Sequence, residues 1–467
     1  MHALYRRFFG AGQRAIRWLD GSRHRPIITV GLVALLLAAP SIVNGKPFLF
    51  FDSAHYFDIG QSIISKVQEK ILPTGPETQI DTVSADIAGA VVAEEAGSND
   101  AGGGLAAIAG GRSPTYSLLT AALGSVFSLF GMVALQSLLA GWVLFRFLEM
   151  VLGSGRNGEK LLLAACLSLL SPLGFHAGFI MPDIFAGIYV LAALVLIFDH
   201  GIGRLETLSL TALLCLSATM HTTILVLGVT LVVLTLAMRF IAPTRQQVNV
   251  SSASWIVASM AFSLVFSSSY KAGVKMITGD EVTNAPYLMA RVVADGPGSR
   301  LLDERCDELQ FAACAFRNTD YVDHNDFLWG GFGANPNFST SPPELREAVQ
   351  EEEIEFVKAA ILAYPGEQLA ASTKNALTQL AKVGISETTV GAETMIRDPA
   401  FANSRVLLHE PGLAHCSDNA AKCKIISPSR QIWALAVRIM TTASMVILFI
   451  WAVRATYGLF RADTPLT

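Results

Sequence analysis

The run Ile27-Ile28-Thr29-Val30-Gly31-Leu32-Val33-Ala34-Leu35-Leu36-Leu37-Ala38-Ala39-Pro40-Ser41-Ile42-Val43 decides the fold class. It carries no charge and has the length of a helix that crosses a bilayer. Arg6, Arg7, Arg14, Arg17, Arg23 and Arg25 precede it. A secretory signal peptide also begins with a basic region and an apolar run. Here the basic arm is long for that role, and Pro40 interrupts the cleavage context. The reading favoured is an uncleaved first helix with its arginines on the cytoplasmic side.

Similar runs recur along the chain. Of 467 residues, 52% are hydrophobic and only 15% charged, which is the balance of a polytopic membrane protein rather than a soluble domain. The net charge of −4 argues against nucleic acid as a partner. Further spans are expected at 132–151, 161–175, 184–198, 207–220, 224–240, 255–266 and 432–451. With the first run this makes about eight, all helical, because lipid leaves no partner for unpaired backbone groups. The stretch 113–131 is long enough to cross. As a crossing it would put Arg156 and Lys160 outside, so it is read as an interfacial helix. A second interfacial helix is expected over 54–71, and a mobile loop rich in Gly and Ala over 74–111.

The expected organisation is a cytoplasmic basic arm (1–26), a transmembrane module (27–269) containing an external loop (46–131), an external and mainly helical domain (270–430), and a last span with a cytoplasmic tail (431–467). Within the external domain, Ser341-Pro342-Pro343-Glu344 reads as a helix start with Ser341 as N-cap. That helix should stop before Pro365-Gly366, and a second should run over 367–383 and close at Gly384. The run Glu351-Glu352-Glu353 reads as a solvated helix face. Phe327-Leu328-Trp329-Gly330-Gly331-Phe332-Gly333 suits domain packing ahead of sugar stacking.

Cys166 and Cys215 lie in apolar runs and read as small buried hydrophobes. Cys306, Cys314, Cys416 and Cys423 lie in the polar stretch, and their short spacings suggest the pairs Cys306–Cys314 and Cys416–Cys423. Zinc is the competing reading, though the spacings do not match the usual ligand patterns. A disulfide pairing would place the stretch in an oxidising compartment.

Threading the chain this way brings four polar fragments to the outer face. They are Phe51-Asp52-Ser53-Ala54-His55-Tyr56, Arg112-Ser113-Pro114-Thr115-Tyr116, Phe179-Ile180-Met181-Pro182-Asp183, and His221. Asp52 suits a general base, and equally an N-cap for the helix that follows. His55 lies within reach of Asp52 at i+3, and Asp58 is a lesser candidate for a second carboxylate. Asp183 follows Pro182, where a helix N-terminus favours a carboxylate, or it faces a cavity between helices. His176 and His221 end two outward-running helices and are either structural or, when protonated, phosphate contacts. Arg112 is either a snorkelling anchor or a phosphate fork. Arg438 is a charge inside an apolar run, and must face protein or water.

This arrangement resembles the GT-C superfamily of polytopic glycosyltransferases, especially the lipid-phosphosugar-dependent protein mannosyltransferases and aminoarabinose transferases. The resemblance covers Ile27 to about Phe240. It rests on Asp52 in the first external loop, on Arg112-Ser113-Pro114-Thr115-Tyr116 as an interfacial helix, and on Ser171-Pro172 followed by Asp183. The chain lacks the second Pro of the family's interfacial motif, and no Asp-x-Asp metal signature follows, which leaves a divalent metal open. The resemblance implies sugar transfer from a polyprenyl-phosphate donor to a glycan, lipid or protein hydroxyl at the outer face of a bacterial inner membrane. Asp52 would act as base, Arg112 with His221 or Arg438 would hold the leaving phosphate, and His55, Tyr56, Asp58, Tyr116, His176 and Asp183 would line the substrate site. The rival reading is a non-catalytic transporter or assembly factor for envelope polysaccharide.

Overall fold

The computed structural model describes residues 25–71, 112–240, 248–278, 282, 284–331, 333, 335–385, 404 and 428–462. The basic arm, the loop over 74–111 and the Cys416–Cys423 pair fall outside these residues. Among the described residues the secondary structure is helical, with one isolated parallel bridge between Phe48 and Phe179. The chain divides into two compact units. The first holds 25–64, 113–268 and 383–385 with the last helix; the second holds 65–71, Arg112 and 269–382.

The first unit contains α1 (Arg25–Asn44), the start of α2 (Phe51–Ile71), α3 (Pro114–Phe127), α4 (Phe130–Leu152), α5 (Asn157–Leu170), α6 (Leu173–Ala177), α7 (Ile184–Phe198), α8 (Arg204–Met220), α9 (Thr223–Phe240), most of α10 (Ser251–Thr278) and the last helix (Pro428–Ala462). Five segments are long and apolar enough to cross a membrane: Pro26–Asn44, Phe130–Leu152, Thr223–Phe240, Ser251–Met276 and Trp433–Ile450. These five are consistent with an all-α, multi-pass membrane protein.

Eight spans were expected, and the three others come out short. The run 161–175 breaks at Ser171-Pro172, which leaves α5 with 14 residues. The helix α7 has 15 residues and α8 has 17. At 1.5 Å per residue, α7 is only about 22 Å long, against roughly 30 Å of hydrocarbon. It can be short because protein surrounds it. Ile184, Phe185, Ile188, Tyr189, Ala192, Ala193, Val195, Leu196 and Ile197 are all buried, so neighbouring helices set its length rather than lipid. The 14-residue α3 is likewise too short to cross, in keeping with the non-spanning reading of 113–131.

Pro40 shows how the sequence dictates a contact. It lies inside α1 and has no N–H for the carbonyl of Leu36 one turn earlier. Ser168 of α5 fills the gap, its Oγ donating to Leu36 O at 2.5 Å. Close helix crossings use glycine. A Cβ on Gly60 of α2 would come within 2.1 Å of Ser117 O, and one on Gly141 of α4 within 3.0 Å of the Ala34 backbone.

The second unit has its own core, built around Met289, Val293, Leu301, Phe316, Phe327 and Phe356. Its helices are α11 (Tyr287–Ala294), α12 (Pro297–Leu309), α13 (His324–Trp329), α14 (Pro343–Ala363) and α15 (Pro365–Ala381), with a 3-10 turn at Ala312–Phe316. Cys306 and Cys314 are disulfide-bonded, as their spacing suggested. Phe327 is fully buried between the rings of Phe316 and Tyr321, a packing role.

Two expectations need correction here. Ser341 is not the N-cap of α14; that position is Pro342, and Ser341 Oγ donates back to Asn337 O at 2.7 Å. Nor is the acidic run wholly a solvated face. Glu352 accepts from the N–H groups of Ala312 and Ala313 at 2.8 and 2.6 Å, and Glu353 accepts from Leu288 N at 2.7 Å. Each carboxylate serves backbone donors at the start of a neighbouring helical turn, where such groups lack partners. Of the three, only Glu351 is exposed.

Candidate functional site

Three of the four polar fragments start or end helices at one end of the first unit, and hydrogen bonds join them into one node. The bridge of Phe48 to Phe179 is its spine. Phe48 N donates to Gly178 O at 2.8 Å and Ile180 N donates to Phe48 O at 2.9 Å. Ser53 then locks α2 onto it. Its Oγ accepts from Phe50 N and donates to Ile180 O, both at 2.9 Å. Asp52 is the neighbour of this serine and sits half-buried in the first turn of α2. It is thus within the helix rather than ahead of it as an N-cap, in a place where the helix dipole favours a carboxylate.

The second fragment is fixed the same way. Ser113 caps α3, its Oγ accepting from Tyr116 N at 3.2 Å and donating to Thr219 O at 2.9 Å. That bond ties the start of α3 to the end of α8, two residues before His221. Tyr116 is buried and packs edge-on against Tyr56 at 4.9 Å and Phe185 at 6.3 Å. Burial pushes its phenol well above the ordinary tyrosine range, and Tyr56 and the Asp183 carboxylate push it further. The phenol therefore keeps its proton, and donates it to Gln136 Oε1 at 2.7 Å.

Gln136 is the residue that sequence reasoning missed. From α4, fully buried, it accepts from Tyr116 and donates through Nε2 to Ala177 O at 3.1 Å and Phe179 O at 2.9 Å. One amide thus joins α3 to the segment that leads to Asp183. The available signal was a lone amide within an otherwise apolar run.

Asp183 is exposed just ahead of α7 and makes no side-chain capping bond among the described residues. It follows Ile180, which is bonded to Phe48 and Ser53, by three residues. His221 is half-buried between α8 and α9, where Nδ1 accepts from Thr223 N at 3.2 Å and lies 2.8 Å from Thr223 Oγ1. It acts as a cap for α9, and the neutral ring then carries its proton on Nε2. His176, in α6, stands 6.3 Å from the ring of Phe179. His55 and Asp58 follow Asp52 along α2, each half-buried.

The two arginines are placed differently. Arg112 belongs to the second unit by contact, although the next residue, Ser113, opens the node. Arg438 is exposed on the last helix. A methyl added to Gly384 would come within 3.2 Å of its Cβ, so the stem of Arg438 lies along that backbone. Five residues earlier Trp433 donates to Leu169 O at 2.7 Å and packs on Phe175 at 5.0 Å. Among the described residues no three His, Cys, Asp or Glu side chains gather as a metal site.

Three hydroxyls of the helices around the node, those of Ser117, Ser137 and Ser217, are buried without a hydrogen-bond partner among the described residues.

The other end of the unit is charged. Arg146 pairs with Glu149, Glu206 and, at 3.5 Å, Asp199. Lys160, with 0% of its side chain exposed, lies 3.8 Å from Glu149 and 4.8 Å from the centre of the Phe145 ring. Arg156, Arg204 and Arg239 also sit at helix ends on this side. The chain matches no protein-family model, no curated protein and no solved structure.

Proposed function

We propose that the chain is a multi-pass membrane glycosyltransferase that moves a sugar from a polyprenyl-phosphate donor to an acceptor hydroxyl. The observation that supports this most is the node itself. Three of the four polar fragments meet at one end of a helical bundle, Asp52 and Asp183 among their residues. The cationic helix ends lie at the opposite end, which supports placing the node on the non-cytoplasmic face.

In the proposed reaction Asp52 takes the proton of the acceptor hydroxyl. The oxygen attacks the anomeric carbon, and the bond from that carbon to the phosphate oxygen breaks. The polyprenyl phosphate leaves with the electron pair. A base beside the attacking oxygen and donors beside the departing phosphate both stabilise charge as it develops. His221 would offer its Nε2 proton to that phosphate, its Nδ1 being held by Thr223. Arg112, one residue before the Ser113 cap, would supply the cation. A lipid-linked donor would reach such a site through the bilayer, and the bacterial inner membrane is the compartment proposed.

Asp52→Asn tests the reading. With a labelled polyprenyl-linked sugar in membrane vesicles, transfer should fall by roughly 10²–10⁴, while the amount inserted in the membrane stays unchanged. Undiminished transfer by this variant would reject Asp52 as the base.

A further inference from the structure

The helix α15 contradicts the usual reason for a helix to form on a protein surface. Its 17 residues include none that is buried, yet isolated helices of that length are marginal in water and most rely on packing an apolar face. It does have such a face. Leu369, Leu377 and Leu380 fall within about 80° of one another at 100° per residue, and each is between 62% and 70% exposed. Thr373 and Ala376 complete the stripe, with no charged residue in it. The opposite flank is the one that holds the helix to its unit. Gln368 Nε2 and Asn375 Nδ2 donate to the Asp295 carboxylate at 3.2 and 2.8 Å. The leucines therefore lie away from the unit's own anchor. Leu362, at the end of α14 just before the turn, is 80% exposed as well.

Chain continuity says what should cover this face. Ala381 ends α15, and four residues later Ile385 is buried with Phe48, Phe175, Phe179 and Val437 at the node end of the spanning unit. Four residues reach at most about 14 Å. The chain enters the second unit through α10, itself a candidate span, and leaves it within four residues of the end of α15.

We propose that α15 is an interfacial anchor that lays Leu369, Leu377 and Leu380 into the lipid surface. Apolar side chains on one side and polar ones on the other are what the boundary between headgroups and acyl chains accepts. This does not depend on the glycosyltransferase reading.

The test uses the full chain, with Cys166 and Cys215 replaced by Ser, reconstituted into vesicles of phosphatidylethanolamine and phosphatidylglycerol. A fluorophore is placed at Leu377→Cys or, on the polar side of the same helix, at Thr378→Cys, and the signal of the parent chain is subtracted. Both positions are exposed, so neither substitution disturbs a core. A shallow lipid-borne quencher should quench the Leu377 label at least about threefold more than the Thr378 label, with aqueous iodide showing the reverse order. Equal lipid quenching at the two positions would overturn the proposal. So would protection of the Leu377 label from both quenchers, which would mean that protein covers the stripe.

Discussion

At one end of the spanning unit Arg146 and Lys160 answer three carboxylates, while at the other a neutral amide, Gln136, gathers a phenol and two backbone carbonyls. Both ends bury polar atoms, but the accounting differs. In the charged cluster every member leans on the rest, because a buried ion without its partner bears the full desolvation cost. In the node the bonds that join α2, α3 and α4 to the segment before Asp183 run between hydroxyl, amide and backbone groups. On the proposed reading the charged end is scaffold and the node end the place of work.

The sharpest way to break this contrast is Arg146→Met. It removes the cation that Glu149, Asp199 and Glu206 share and leaves Lys160 beside Glu149, and should cost about 3–5 kcal/mol, read as a large fall in the melting temperature of the detergent-solubilised protein. Any transfer activity should fall only in step with the folded fraction. A cost under about 1 kcal/mol would make these ordinary surface pairs and dissolve the distinction. Gln136→Ala comes next, at about 2–3 kcal/mol, because it strands the Tyr116 hydroxyl and two carbonyls. Here activity should fall further than stability explains, since Phe179 and the segment leading to Asp183 lose their hold. Activity that tracks stability would leave Gln136 as packing alone.

These residues also show how far the sequence could be read. The polar fragments were recognisable because each borders an apolar run, and hydropathy reports where such runs begin and end. The Cys306–Cys314 pairing was legible for a similarly local reason. Gln136 was not, since its partners lie 20, 41 and 43 residues away and nothing in its own segment signals them. Arg146 and Lys160 were read only as markers of membrane side, because sequence gives a charge but not its depth or its company. Helix lengths failed where Pro172 cut an apolar run and where protein, rather than lipid, enclosed α7. Glu352 and Glu353 were misread because a run of like charges looks solvated until a neighbouring helix end is placed against it.

His221 separates a cap from a chemical group at lower cost. His221→Ala should lose about 1 kcal/mol, as for other cap deletions. His221→Asn should restore stability, since Asn caps well. If His221 serves only as a cap, Asn restores transfer too. Restored melting with transfer still depressed assigns the imidazole a role beyond the cap.

The smallest effect tests whether the node end is built around polar occupants. Ser217 buries a hydroxyl with no partner among the described residues. If nothing else occupies that space, Ser217→Ala removes an unsatisfied group and should be neutral or slightly stabilising, within about 0.5 kcal/mol. The same holds for Ser117→Ala on α3. A loss of 1 kcal/mol or more, roughly the worth of a real hydrogen bond, would mean that the hydroxyl does have a partner. Buried polar groups that lack protein partners are commonly served by water. A water chain between α3, α4 and α8 would carry polarity from the node into the bundle, and the two ends would differ less than their side chains suggest.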